Sequence, residues 1–175
     1  FPPAAITDAE GKPLLSWRVA ILPYIEQNAL YEQFHLDEPW DSPHNKKLSE
    51  TVLAIYSSPN LQPEQRNMTF YQMLVGPGAL NEKHGDKGVN IASITDGTSN
   101  TIAVVEAAKG VIWTKPDDVK FDPEKRFPKL GGPGFRGGFN AGFCDGSVRF
   151  LLDTTDETTL KSMTTKAGGE VIEIN

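Results

Sequence analysis

From Ser16 to Phe34 apolar residues return at helical spacing, with Trp17, Ile21, Tyr24 and Ile25 followed by Leu30, Tyr31 and Phe34. That period predicts an amphipathic helix. Pro23 has no amide hydrogen to give inside it, so the helix is expected to kink there, or to restart with Pro23 in a first turn. Asp37 to Pro43 then reads as a loop. Ser42 is placed to cap a second helix, with Pro43 in its first turn and Leu48, Val52 and Ile55 as its buried stripe.

Beyond Pro59 the pattern turns to β. Thr69 to Val75 predicts a strand stopped by Gly76-Pro77-Gly78, and Val89 to Ile91 and Thr101 to Glu106 predict two more. Between these last two, Asp96-Gly97-Thr98-Ser99-Asn100 forms a turn rich in side-chain oxygens. Pro116 to Pro133 holds four prolines and many charges, a composition that predicts a long solvated surface loop. Asp145-Gly146 then separates Phe139–Cys144 from Ser147–Leu152, the preferred chemistry for a hairpin with a two-residue type I′ turn. Pairing outward from it sets Cys144 opposite Ser147, Phe143 opposite Val148, Ala141 opposite Phe150 and Phe139 opposite Leu152. Phe143 and Phe150 are therefore expected on one buried face.

Asp156 is placed to cap a last helix with Leu160 and Met163 inward, ended by Gly168-Gly169. Val171 to Ile174 can add an edge strand. Helices first, an antiparallel sheet in the middle and a short helix near the end predict the α+β class. The 175 residues suit one domain, 1–175, with the excursion at 116–133, since domains of ~100–150 residues are commonest.

Composition narrows the partners. A formal net charge of -6 repels a phosphate backbone, and the densest cationic stretch, Lys120 to Lys129, is interrupted by Asp122 and Glu124. No nucleic-acid partner is expected. One cysteine, Cys144, excludes an intrachain disulfide framework and a multi-thiolate zinc site. No run of eighteen apolar residues occurs within the chain, so any membrane contact is expected through a segment outside it.

Phosphate loops, nucleophile elbows, zinc-protease helices and dinucleotide fingerprints are missing from the sequence. His35, His44 and His84 fall in loops or at helix edges and read as solvated surface histidines. Cys144 reads as a small apolar residue on the hairpin's second face, with no base to activate it. Asp96, Thr98, Ser99 and Asn100, or Asp153 with Asp156 and Glu157, offer oxygen to calcium but match no full calcium-loop spacing. Asp96 and Asp145 are the carboxylates to test for such an ion; no other cofactor is expected. Trp17 is expected to anchor the core by its helical phase, and Trp40, between Pro39 and Asp41, to pack its loop onto the domain.

Taken together, Ser16-Trp17-Arg18-Val19-Ala20-Ile21-Leu22-Pro23-Tyr24-Ile25-Glu26-Gln27 and Asp37-Glu38-Pro39-Trp40-Asp41-Ser42-Pro43-His44-Asn45 resemble a large family of bacterial surface proteins abundant in planctomycetes. Thr95 to Thr101, with Asp96, Gly97 and Asn100, and Asn140 to Leu151, with Asp145 and Gly146, are similar to the same family, whose end is termed the prepilin-type H-X9-DG domain. The histidine of that name corresponds here to Phe135. The motif residues Trp17, Pro39, Trp40, Asp96, Gly97, Asn100, Asp145 and Gly146 carry over as structural landmarks.

The family is similar to type IV pilins and to the pseudopilins of type II secretion. The resemblance therefore implies a pilin-like head, a structural or assembly protein of the cell envelope rather than an enzyme. It also implies an apolar, membrane-spanning helix ahead of Phe1 through which the protein is tethered on the periplasmic or extracellular face and through which it self-associates or enters a filament. Calcium binding belongs to the same expectation, by similarity to pseudopilins. Two other readings stand beside it: an extracellular ligand- or glycan-binding module presenting the 116–133 loop, and a hydrolase with an unrecognised site.

Overall fold

The computed structural model describes residues 1–58, 65–85, 87–132 and 137–169. It opens with two short antiparallel strands that the sequence pattern does not announce, β1 (Ala5–Thr7) and β2 (Pro13–Ser16). The single helix expected from Ser16 to Phe34 is three brief turns: α1 (Trp17–Ala20), a 3-10 turn at Leu22–Ile25, and α2 (Asn28–Tyr31). Pro23 sits near the start of the 3-10 turn, where its missing amide costs nothing. Glu26 then takes a left-handed φ of 61° and Gln27 N donates to Leu22 O at 3.0 Å, which closes the turn. The interruption rotates Tyr24 off the buried stripe, to 85% exposure.

Past Asp37 to Pro43, α3 (Asn45–Leu48) is likewise one turn long. Ser42 Oγ accepts from Asn45 N at 3.1 Å, but the N-cap position is taken by His44, which makes no side-chain cap bond, and Pro43 falls before the helix instead of in its first turn. The chain leaves the helix at Ser49, so Val52 and Ile55 are exposed, and a 3-10 turn (Ala54–Tyr56) buries Tyr56 instead.

The apolar stretch at Thr69–Val75 divides at Met73 into β3 (Met68–Gln72) and β4 (Leu74–Val75). Val89 to Ile91 forms no strand; Asn90 caps a 3-10 turn (Ile91–Ser93) by accepting from Ala92 N. The strands β5 (Ile102–Ile112), β6 (Val119–Lys120), β7 (Gly138–Phe143) and β8 (Val148–Leu152) follow. The main sheet is antiparallel in the order β3-β5-β7-β8, while β4 pairs in parallel with β6. The expected solvated loop at 116–133 is therefore wrong over its first third: Asp118 and Phe121 are buried. Its prolines flank β6 rather than interrupt it, and the Val119 and Phe121 amides bond to Met73 O and Val75 O. Gly76 is required beside this ladder, because a Cβ there would stand 1.8 Å from the Phe121 carbonyl oxygen.

One core lies on the sheet, where Ile102, Val105, Phe139, Ala141 and Phe143 meet Phe121, Leu160 and Met163. Leu160 and Met163 come from α4 (Glu157–Ser162), capped by Asp156 as the sequence predicts, though the helix closes at Met163, well before Gly168-Gly169. A second core gathers Leu15, Val19, Leu22, Phe34 and Tyr56 around Trp113. Phe135, Pro133 and the Val171 to Ile174 tail lie outside the described residues.

The β7–β8 hairpin forms with Asp145-Gly146 at its tip, but its register is one residue away from expectation: Gly142 faces Val148, Ala141 faces Arg149 and Asn140 faces Phe150. Gly146 N donates to Phe143 O at 3.0 Å and Phe143 N to Ser147 O at 2.8 Å. The connection is thus a type I turn followed by a left-handed glycine, a three-residue loop in place of type I′. Among the described residues only Glu26 has a positive φ without being glycine, so Asp145 does not adopt the conformation type I′ needs. A one-residue change in loop length exchanges the faces of a strand. Phe143 is accordingly buried while Phe150 is 46% exposed.

Gly146 has φ 86° with no atom within 4 Å of a would-be Cβ, so only its backbone conformation resists substitution. Gly146→Val is expected to lose about 1–2 kcal/mol in urea unfolding, and Gly146→Asn distinctly less. Equal losses from the two variants would show that the left-handed turn is not the constraint.

Candidate functional site

The segment that opens α1 builds the most elaborate polar centre. Ser16 is extended (φ -67°, ψ 155°) and its Oγ accepts from Arg18 N, starting the helix so that Trp17 and Arg18 both turn inward. The Arg18 guanidinium is fully buried and donates to Ser16 Oγ at 2.7 Å, Tyr71 O at 2.9 Å and Asp118 Oδ1 at 3.0 Å. That same Asp118 oxygen accepts from Trp17 Nε1 at 3.1 Å and from Met73 N at 2.9 Å. Tyr56 closes the group by donating its hydroxyl to Arg18 O at 2.7 Å. Burial lowers the Arg18 pKa and the Asp118 charge works against that fall; burial also pushes the Tyr56 phenol up.

The second Asp118 oxygen makes no hydrogen bond and stands 3.8 Å from His84 Nε2, which makes none either. His84 is thus half-buried against an acid, which corrects its reading as a solvated histidine. His35 and His44 are exposed, as expected, and stack on each other with ring centroids 3.6 Å apart. Parallel rings aim their in-plane lone pairs side by side, so the stacked pair does not converge on one metal ion.

Two of the motifs meet. In the 96–100 turn, Gly97 has φ 93° and Asn100 Nδ2 donates to Asp96 O. The hairpin tip seats on this turn: Asp145 N donates to Thr98 O at 3.1 Å, Cys144 N to Thr101 O at 2.9 Å and Arg149 to Ser99 O at 2.9 Å. Both calcium candidates already hold backbone. Asp96 accepts from Gly168 N at 2.6 Å and Gly169 N at 3.0 Å, clamping the last described residues. Asp145 Oδ1 accepts from the Ser147 hydroxyl and amide, which hold its pKa below the usual carboxylate value. Among the described residues no three His, Cys, Asp or Glu side chains group as metal ligands. Burial pushes the Cys144 thiol up to about 11, the opposite of what a nucleophile needs.

Pro39 and Trp40 belong to the second core instead. Trp40 N donates to Leu14 O, and Trp40 packs against the cluster around Trp113. Asn45, fully buried, holds this loop by donating to His35 O, Glu38 O and Pro39 O. Glu106 is the other group that sequence reasoning missed. It has no exposed surface; one oxygen touches Asn140 at 3.5 Å and the other has no hydrogen-bond partner. Burial raises its pKa above the ordinary 4.5.

Two measurements test this account. Asp118→Ala strands the Arg18 charge and is expected to cost about 3–5 kcal/mol, whereas Arg18→Leu with Asp118→Ala together should recover part of it. For Glu106, a folded pKa above the unfolded one means that its stability contribution is full below the ordinary value and lost as pH rises through the raised value. Glu106→Gln is therefore expected to melt higher than the parent at neutral pH and to flatten the pH dependence. A variant that melts lower at neutral pH and tracks the parent on acidification would remove Glu106 from the account.

A family model described as a protein of unknown function (DUF1559) matches residues 1–126. That stretch contains Arg18 and Asp118 and both halves of the centre around them, and it stops before β7. No curated protein and no solved structure gives a significant match. The match covers well over half of the 175 residues, and the chain belongs to the DUF1559 family.

Proposed function

We propose that this chain is the head of a cell-envelope protein, pilin-like in role, that serves structure or assembly rather than catalysis. The observation that carries this reading is how the polar groups are used. Asp96, Asp118 and Asp145 each accept backbone amides, Arg18 is locked on three acceptors, and Cys144 is held as an unreactive thiol. Groups engaged in holding the chain are not free to bind and turn over a substrate. The resemblance of the Trp17–Arg18, Pro39–Trp40, Asp96–Asn100 and Asp145–Gly146 motifs to prepilin-type surface proteins supports the same reading. In this proposal an apolar helix encoded upstream tethers the head on the outer side of the membrane.

A second reading has one observation in its favour. A cleft of about 720 Å³ opens between the Arg126–Gly131 stretch and the sheet end at Phe139, with Lys129, Asp153 and Glu157 on its walls. Its size and mixed polarity suit a sugar or peptide bound as an extracellular ligand.

Expression of the complete gene product followed by fractionation separates the two. A tethered envelope protein is expected with membranes or in sheared surface material; recovery entirely in the cytosol would overturn the proposal. Saturable glycan or peptide binding that is lost with Lys129→Glu, from a protein released to the medium, would install the second reading in its place.

A further inference from the structure

The Arg18–Asp118 centre is unfinished on one side. Asp118 Oδ1 accepts from Arg18, Trp17 and Met73, while Oδ2, equally buried, accepts from nothing. Set against it at 3.8 Å is His84 Nε2, too distant for a hydrogen bond and itself buried without a partner. A closure of about 1 Å would join two polar atoms that each lose their hydration without compensation. The His84 side chain keeps 25% exposure, so water reaches the ring although Nε2 points inward. His84 also ends a loop on which other segments hang. Gly76 N donates to Asn81 O, Asn81 Nδ2 to Pro2 O, and Lys166 N and Nζ to Gly78 O and Ala79 O. The loop thus holds the chain near both ends of the described residues.

We infer that His84 is a proton-operated latch: the charged imidazolium closes on Asp118 Oδ2 and fastens the 76–84 loop to the Arg18 centre, and the neutral ring releases it. A neutral imidazole has one N–H, which water can accept at the exposed edge. The imidazolium donates from both nitrogens, and its Nε2–H then meets a carboxylate oxygen instead of staying unpaired. Among the described residues the neighbouring charges are engaged elsewhere. Arg18 is held by Ser16, Tyr71 and Asp118 Oδ1, Asp117 pairs with Lys115 at 2.9 Å, and Glu82, two residues from the ring, pairs with Lys166 at 3.0 Å. The turn bearing Asp8, Glu10 and Lys12 approaches Gly85 through Gly11 O, and its Asp8 accepts from the Glu10 and Lys12 amides. Lys83 adjoins the histidine in sequence. Folding gives the charged ring a partner that the unfolded chain lacks, so the latch stabilises the fold where His84 is charged and its contribution is lost as pH rises. The latch goes beyond the envelope reading and does not depend on it.

Melting of the purified chain and of its His84→Gln variant is compared between about pH 5 and pH 8, the range in which histidine changes charge. The parent is expected to melt about 2–4 °C above the variant at the acidic end, with the gap closing towards the alkaline end. The Trp17 indole donates to the same carboxylate, so its N–H resonance should move with pH in the parent and stay still in the variant. The Trp113 indole, bonded to Thr51 O, is the fixed reference in both. A gap that is constant, or that widens as pH rises, would overturn the inference, as would a Trp17 resonance that titrates alike in parent and variant. A Trp17 resonance that stays still in the parent overturns it alone, even where the variant fails to fold.

Discussion

Three distant segments of this fold meet at one buried oxygen. Asp118 Oδ1 accepts from the Arg18 guanidinium, the Trp17 indole and the Met73 amide, and so ties α1, the β3–β4 junction and the start of β6 to a single point. Removing both charges from water costs several kcal/mol each, and charge-assisted hydrogen bonds return about 1.5–3 kcal/mol apiece. Five such contacts on the pair roughly offset the desolvation, so its contribution is geometry more than net stability. A leucine and a methionine could fill the same volume, but they would not specify which segments meet.

The same constraint explains where the sequence was legible. Where structure is local, the residues announce it: the Asp156 cap, the inward Leu160 and Met163, the oxygen-rich turn at 96–100 and the position of the Asp145-Gly146 hairpin all follow from near neighbours. The antiparallel sheet and the α+β class follow from the β-rich middle of the chain. The failures fall where a distant partner overrides the local signal. The Ser16–Phe34 period is helical, yet Arg18 and Tyr56 hold its first turn in place and the left-handed Glu26 ends the next. Proline and charge made 116–133 look solvated, but an aspartate that finds an arginine 100 residues away no longer needs water.

The hairpin register failed for a smaller reason. Asp-Gly serves both a two-residue type I′ loop and a three-residue loop with glycine left-handed, and the three-residue form is the one found docked on Thr98 and Thr101. The outcome inverts β8 and puts its apolar residues outside. The candidate site was half legible: Trp17, Trp40 and the Asp96 and Asp145 motifs were visible as landmarks, while Arg18, Asp118, Asn45 and Glu106 show their roles only through burial and partners.

The span of that ion pair also sets an order of events. Asp118 is made 100 residues after Arg18, so during synthesis at ~5–20 residues per second the guanidinium waits several seconds or more for it to emerge. Until then the Arg18 guanidinium has no counter-charge to bury against. Long-range closures of this kind come late and slow folding. The N-terminal half is therefore committed to its final arrangement by residues that lie near the end of the family match, and truncations short of Asp118 leave it without the group that locks it.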